Sequence, residues 1–108
     1  MPAETMLPST LALQQLQESA VQASELLQAV GNPSRLLVLC LLIEYGEMTV
    51  GALNEVVGLS PSALSQHLAR MREEGLVTYR REAQTLHYRI DDPRVIRLIA
   101  ALRDIFCP

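Results

Sequence analysis

Two cysteines and two histidines are the side chains of this sequence best suited to chemistry. Cys40 lies inside the apolar run Leu36–Ile43, and Cys107 is the penultimate residue. A thiolate can act as a nucleophile, bind a soft metal or be oxidised. The cysteines are too far apart in sequence for a local zinc knuckle or a CxxC redox motif. In a reducing cytosol, a permanent structural disulfide between them is not expected.

The residues alone leave the role of the thiols open. Free cysteine is among the most buried residue types, so Cys40 by itself fits an inert position in the core. Cys107 differs, because a penultimate cysteine is rarely needed for packing and is expected to be accessible. The two thiols can be bridged only if the fold brings their Cα atoms within roughly 4.4–6.8 Å, a limit that inserted sulfur atoms would relax.

The remaining polar residues form no recognisable catalytic set. His67 and His87 have no cysteine or carboxylate at ligand spacing, so we expect no metal site and no cofactor. We interpret His67 as a hydrogen-bonded structural residue, with contact to a DNA base as the alternative, and His87 as a packing or solvated residue. The sequence contains no Ser/His/Asp set in a plausible order, no Gly-rich phosphate loop and no basic residue next to Cys40. It therefore does not indicate an enzyme. A helical protein-interaction module remains a competing class.

The segment Leu59–Gly75 predicts a helix with two unlike faces. Ser60 is a candidate N-cap, and Pro61 falls at the first helical position. One face is apolar at helical spacing and consists of Leu64, Leu68 and Met71. The other carries short or amide side chains, namely Ser62, Ser65, Gln66 and Ala69. A face so poor in charge can lie in a DNA major groove and hydrogen-bond to base edges.

The upstream residues predict three helices. A helix from Ser9 carries apolar residues at alternating spacings of three and four: Leu13, Leu16, Ala20, Ala23, Leu27 and Val30. This seam fits either a core-facing helix or a dimer helix. Asn32 and Pro33 open a second helix, which is apolar on every face and is therefore expected to be buried. Thr49 caps a short third helix, and the turn Gly58-Leu59-Ser60 completes a helix-turn-helix.

Downstream of Gly75, the apolar period changes from that of a helix to that of a strand. Residues 77–81 and 86–90 alternate around the segment 82–85, which predicts a β-hairpin, or wing. Arg81 and Gln84 lie near its tip and are candidates for DNA contact, as is Arg70 on the preceding helix. A last helix begins at Asp91-Asp92-Pro93. It carries more apolar positions than one covered face needs: Val95, Leu98, Ile99, Leu102, Ile105 and Phe106.

Length and charge further restrict the fold and the function that the sequence predicts. The 108 residues predict a flexible N-terminus (1–8) and one domain (9–108), mainly α with a small β-hairpin, in the order ααααββα. There is neither a secretory signal nor an 18-residue apolar run, so we expect a cytoplasmic protein with no membrane partner. The net charge is −3, yet residues 60–90 carry five arginines and three glutamates. Because one chain carries so few cations, it can neutralise few phosphates, and this favours binding to DNA as a dimer.

The phrase GLSPSALSQHLARMREEGLVTYRREAQTLHYRI and the order of elements resemble the ArsR family of winged-helix repressors. The resemblance covers about residues 10–108, and the combined phrase of helix and wing is highly specific. The matching positions are Leu59, Ser60, Ser62, Ser65, His67, Leu68, Met71, Gly75, Leu76, Val77, Arg80, Arg81 and Tyr88. Pro61 departs from a position where many relatives carry a polar residue. The resemblance implies a winged helix-turn-helix repressor on double-stranded operator DNA. From the surplus apolar positions of the last helix, we expect the first and last helices to form the interface of a homodimer together.

The familiar metal sites of that family are missing here. The helix before the recognition helix reads TVGALNEVV, without Cys or His, and the last helix contains only Asp104 and no His. The pair Cys40 and Cys107 instead resembles the sulfide/persulfide-responsive subgroup, the BigR/SqrR/YgaV type. In that subgroup, reactive sulfur species join two thiols by a disulfide or polysulfide, and the repressor leaves its operator. The alternatives are another oxidant, a thiol-reactive metal or metalloid sensed by the same cysteines, or a constitutive repressor with structural cysteines.

Overall fold

The computed structural model of the protein describes residues 7–107. Its elements are α1 (Thr10–Val30), α2 (Pro33–Tyr45), β1 (Met48–Thr49), α3 (Val50–Val57), α4 (Pro61–Glu73), β2 (Val77–Glu82), β3 (Thr85–Ile90) and α5 (Pro93–Phe106). The predicted class, mainly α with a small β-hairpin, is confirmed. The short strand β1 is an addition to the predicted order. Most of the predicted flexible segment 1–8 lies outside the described residues.

The chain divides into two compact units, one containing α1 and the other everything from residue 31 onward. A single domain spanning residues 9–108 therefore stays a prediction. In α1, the backbone N–H of Ala12 donates to Ser9 Oγ at 3.1 Å, which caps the first turn. The seam residues Leu13, Leu16 and Leu27 are all exposed in the single chain. No described helix alone is long and apolar enough to cross a membrane, and α1 with α2 reaches that length and composition only as a broken pair.

Helix α2 forms the centre of the second unit. Asn32 Oδ1 accepts hydrogen bonds from the N–H groups of Ser34 and Arg35 at 2.9 and 3.1 Å, which fixes where α2 begins. The core-facing residues of α2 are Val38, Leu39 and Leu42. α2 is the central helix, as expected, but it is only partly buried, because Leu37 stays 40% exposed and Cys40 is half-buried. The contacts of α2 with α3, α5 and β3 do not enclose its whole circumference.

The helix-turn-helix follows local capping chemistry. Thr49 Oγ1 accepts from the N–H of Ala52 at 3.2 Å and starts α3. Gly58 ends α3 in the left-handed conformation (φ 72°), which costs a glycine little. Ser60 Oγ then accepts from the N–H of Ala63 at 3.2 Å, and Pro61 begins α4 as predicted. The turn between α3 and α4 is therefore specified by residues within it.

The wing is a three-stranded antiparallel sheet in the order β1-β3-β2. Glu82 pairs with Thr85, so Ala83 and Gln84 form a two-residue turn, tighter than the predicted segment 82–85. β1 extends the hairpin by pairing Met48 with Tyr88. Two residues are too few to give an alternating apolar pattern, which explains why the sequence did not predict this strand.

Ala83 at the hairpin tip has a φ of 58°, and no other non-glycine among residues 7–107 has a positive φ. An L side chain is strained there, whereas glycine is not. We expect Ala83→Gly to raise the free energy of unfolding by about 0.5–1 kcal/mol, measured by urea denaturation. Ala101→Gly, in the interior of α5, is the matched control and should lower it by about 1 kcal/mol. Destabilisation by both substitutions would contradict the strain assigned to Ala83.

Candidate DNA-binding surface and thiol site

Helix α4 presents the predicted face to solvent. Leu64, Leu68 and Met71 are at most 1% exposed and fix the helix against the core. The opposite residues are all exposed: Ser62, Ser65, Gln66 and Ala69. The apolar stripe thus determines which side chains face outward. The assignment of Ser62, Ser65 and Gln66 to DNA contact remains a prediction that is consistent with this geometry.

Arg80 and Arg81, neighbours in β2 of the wing, have different surroundings. Arg80 Nε lies 3.1 Å from both carboxylate oxygens of Glu47, and Arg80 Nη1 lies 3.0 Å from Glu82 Oε2. The hydrogen bond from Arg80 lowers the pKa of the Glu47 carboxyl. Arg81 is exposed and makes no ion pair with the residues the structure describes. Arg81 and the tip residue Gln84 therefore remain the better candidates for phosphate or groove contact.

A cation–π contact joins α4 to the wing. The Arg72 guanidinium lies 5.0 Å from the centre of the Tyr79 ring, a cation–π contact. The Tyr79 ring centre lies 5.3 Å from that of the buried Tyr88.

Arg70, predicted as a DNA contact, pairs with Glu74 at 2.9 Å, and both side chains are exposed. Such an exposed pair is weak, so it leaves Arg70 available to a phosphate.

His67 connects α4 to α2. Arg35 Nη1 donates to His67 Nδ1 at 3.4 Å, and the Arg35 side chain is buried beneath α4. Burial lowers the pKa of His67, and the charges of Arg35 and Arg70 lower it further. This environment agrees with the interpretation of His67 as a structural residue.

The lowered pKa of His67 gives stability a pH dependence of known sign. The unfolded chain takes up the proton below about pH 6.5, whereas the folded chain takes it up only at lower pH. The free energy of unfolding should therefore fall as the pH drops from about 7.5 to about 5.5. His67→Gln, whose amide oxygen can still accept from Arg35, should make that fall shallower in urea denaturation at each pH. An unchanged slope would mean that other groups carry the dependence.

The two cysteines, distant in sequence, line one cavity between α2 and α5. The cavity has a volume of about 270 Å³, and its lining is Leu36, Cys40, Ile99, Leu102, Arg103, Phe106 and Cys107. Cys40 is half-buried on α2, and Cys107 is exposed where α5 ends. Both are free thiols. The fold therefore places a protected thiol and an accessible thiol on the same cavity.

Arg103 is the member of this site that sequence reasoning missed. Burial raises the pKa of Cys40, the Arg103 guanidinium opposes that effect, and Cys107 adds to it. No basic residue neighbours Cys40 in sequence, as the sequence analysis noted, but the fold brings Arg103 close to it in space. Arg103 precedes Cys107 by one helical turn, and this spacing was the available signal. Within residues 7–107, no group of three or more His, Cys, Asp or Glu side chains could hold a metal ion.

Comparisons with known proteins agree with this arrangement. Residues 32–79 match the family described as bacterial regulatory protein, arsR family. The HTH-type transcriptional regulator YgaV of Escherichia coli is 49% identical over 89% of this chain and 97% of its own length. The transcriptional activator HlyU of Vibrio cholerae is 42% identical over 88% of this chain and 87% of its own. The crystal structure of the transcriptional repressor BigR from Xylella fastidiosa matches with a TM-score of 0.81 at 35% identity, over 88% of this chain and 96% of that one.

These relatives are transcriptional regulators rather than enzymes, as the sequence predicted. Their similarity extends over helices and wing alike and is not confined to the helix-turn-helix. The chain belongs to the ArsR family of winged-helix, DNA-binding transcriptional regulators, and within it to the BigR/YgaV type.

Proposed function

We propose that the protein is a dimeric repressor whose operator binding is switched off when an oxidant or a reactive sulfur species bridges Cys40 and Cys107. The observation that carries this proposal is the cavity shared by the two thiols. The name repressor follows BigR, although HlyU is named an activator. A regulator that meets its operator and a thiol-reactive inducer is expected in the cytoplasm.

The bridging chemistry balances with a hydrogen polysulfide as the oxidant. The accessible Cys107 thiolate attacks the terminal sulfur of the polysulfide, forming a Cys107 persulfide and expelling a polysulfide anion that is shorter by one sulfur, or a hydrosulfide when the reagent is a disulfide anion. The Cys40 thiolate then attacks the inner sulfur of that persulfide and releases a hydrosulfide. Two thiols lose two electrons to form the disulfide, and the sulfane sulfur gains them. If Cys107 instead carries one further sulfur atom, attack by the Cys40 thiolate on the sulfur next to the terminal one releases a hydrosulfide and leaves a trisulfide bridge.

A bridge between α2 and α5 can reach the DNA surface through contacts already present. Cys40 and Arg35 lie on the same helix, and Arg35 holds His67 of α4. α5 is also one of the two helices expected to pair in the dimer, with α1 as the other. Bridging would therefore shift the population from dimers whose two α4 helices fit the operator to dimers whose helices do not.

The DNA-binding role is assigned to the exposed face of α4 and to the wing tip. Ser62, Ser65 and Gln66 are proposed to meet base edges, and Arg70, Arg81 and Gln84 to meet phosphates or the flanking groove. One protomer offers few cations, so two-fold pairing on double-stranded DNA supplies the rest of the affinity. Size-exclusion chromatography with light scattering should give twice the chain mass of 12.0 kDa.

The test is binding to a fluorescent fragment of the protein's own promoter. Reduced, diamide-oxidised and polysulfide-treated protein are compared, with mass spectrometry of the Cys40 and Cys107 peptides. Release accompanied by a Cys40–Cys107 linkage supports the proposal, whereas release without that linkage contradicts it. Release by arsenite or antimonite of protein that ignores polysulfide would favour metalloid sensing instead. Binding that resists every treatment would indicate a constitutive repressor.

A further inference from the structure

The Arg103 guanidinium occupies a distinctive position next to the thiols. It lines the cavity that holds Cys40 and Cys107, and also a neighbouring one formed with Ala100, Asp104 and Cys107. Its Nη2 lies 3.9 Å from Glu44 Oε2, and both side chains are about half exposed. A pair at that distance in solvent is weak. Glu44 therefore neutralises the charge of Arg103 only weakly.

We propose that Arg103 is a positioning residue for the thiol reaction, which draws anionic sulfur species into the cavity and stabilises the Cys40 thiolate for bridging. This inference rests on the proposed thiol switch and names the charge class of its inducer. Hydrogen polysulfides and hydropersulfides are anionic near neutral pH, unlike hydrogen peroxide. The rest of the cavity lining is apolar apart from the thiols, so a single cation there sets the sign of the local field.

The same cation assists the bridging step. When the Cys40 thiolate attacks the Cys107 persulfide, a hydrosulfide anion leaves from beside Arg103. The guanidinium lies close to the negative charge of the Cys40 thiolate before the step and to that of the leaving hydrosulfide after it. The titratable groups around Cys40 are Arg103 and Cys107, with Glu44 on its own helix and Asp104 at the adjoining cavity. Arg103 is the cation among these groups.

The test isolates Cys40 in a Cys107→Ser background and needs neither DNA nor polysulfide. Alkylation rates are measured from pH 6 to 10 with anionic iodoacetate and neutral iodoacetamide. In Arg103→Gln, the midpoint of the Cys40 alkylation rate against pH should rise, because the thiolate loses a nearby cation. The ratio of the iodoacetate rate to the iodoacetamide rate should fall by roughly three- to fivefold, the effect of one nearby unit charge on an anionic reagent. Arg103→Lys should restore most of both. Glu44→Gln should move both readouts in the opposite direction.

Arg97→Gln on the same helix is the matched control, because Arg97 is exposed and does not line the cavity. Equal changes in Arg97→Gln and Arg103→Gln would overturn the proposal, as would an unchanged reagent ratio in Arg103→Gln. Circular dichroism identifies any variant that fails to fold. If Arg103→Gln is one of them, Arg103→Met, which also removes the charge, decides by the reagent ratio. Wild-type protein that polysulfide fails to release from DNA would refute the switch itself, whatever the alkylation rates.

Discussion

Replacing Cys107 by serine is expected to leave the operator affinity of the reduced protein unchanged and to abolish its response to polysulfide. Cys107 is exposed after the end of α5, so its replacement removes little buried surface. Without Cys107, Cys40 can form a persulfide, but the cavity has no second thiol to react with that persulfide and form a bridge. In the wild type, bridging should weaken operator binding by roughly 5–150-fold, the usual range of coupling between two sites. Fluorescence anisotropy of promoter DNA measures both proteins before and after treatment.

Cys40→Ala is the companion variant. Alanine keeps a small apolar group in the cavity and removes the capturing thiol, so this variant should also remain on DNA after treatment. Dithiothreitol should return the treated wild type to the operator, because a disulfide or polysulfide bridge is reducible. A Cys107→Ser protein that still leaves DNA on polysulfide treatment would make the two-thiol switch wrong. A single persulfide on Cys40 would then be the signal.

The elements that sequence reasoning predicted well are those whose boundaries are set locally. Ser60 and Pro61 start α4, and Gly58 ends α3, through hydrogen bonds and backbone preferences of neighbouring residues. The outward face of α4 follows from helical periodicity as soon as Leu64 and Leu68 are assigned to the core. Neither step requires knowledge of where the rest of the chain lies.

The features that sequence reasoning missed depend on contacts between distant segments. β1 forms because Met48 pairs with Tyr88 of β3, and no local sequence pattern predicts that pairing. Leu37 is exposed although its run is apolar on every side, since the number of neighbours around α2 decides burial. Arg103 reaches Cys40 only because α5 packs on α2. The resemblance could suggest that the thiols meet, but only a tertiary structure places a cation beside them.

Gln66→Ala is expected to weaken operator binding strongly and to relax the preference for one base. Gln66 is exposed on the outward face of α4, and a glutamine amide typically bonds to adenine. Each lost base contact costs roughly 1–3 kcal/mol. A dimer carries the residue twice, so the loss per operator is roughly 2–6 kcal/mol if the half-sites are equivalent. Stability should change by less than about 0.5 kcal/mol, because the side chain is on the surface.

Arg81→Ala separates base reading from phosphate binding. Arg81 lies in β2 next to the hairpin tip and is proposed to meet a phosphate or the flanking groove, so its loss should weaken specific and random DNA similarly. It should also reduce the slope of log affinity against log salt by about 1 per protomer. Gln66→Ala should leave that slope unchanged and lose affinity mainly for the operator. If Gln66→Ala weakened all sequences equally, Gln66 would be a backbone contact, and the choice of operator would lie with Ser62 and Ser65.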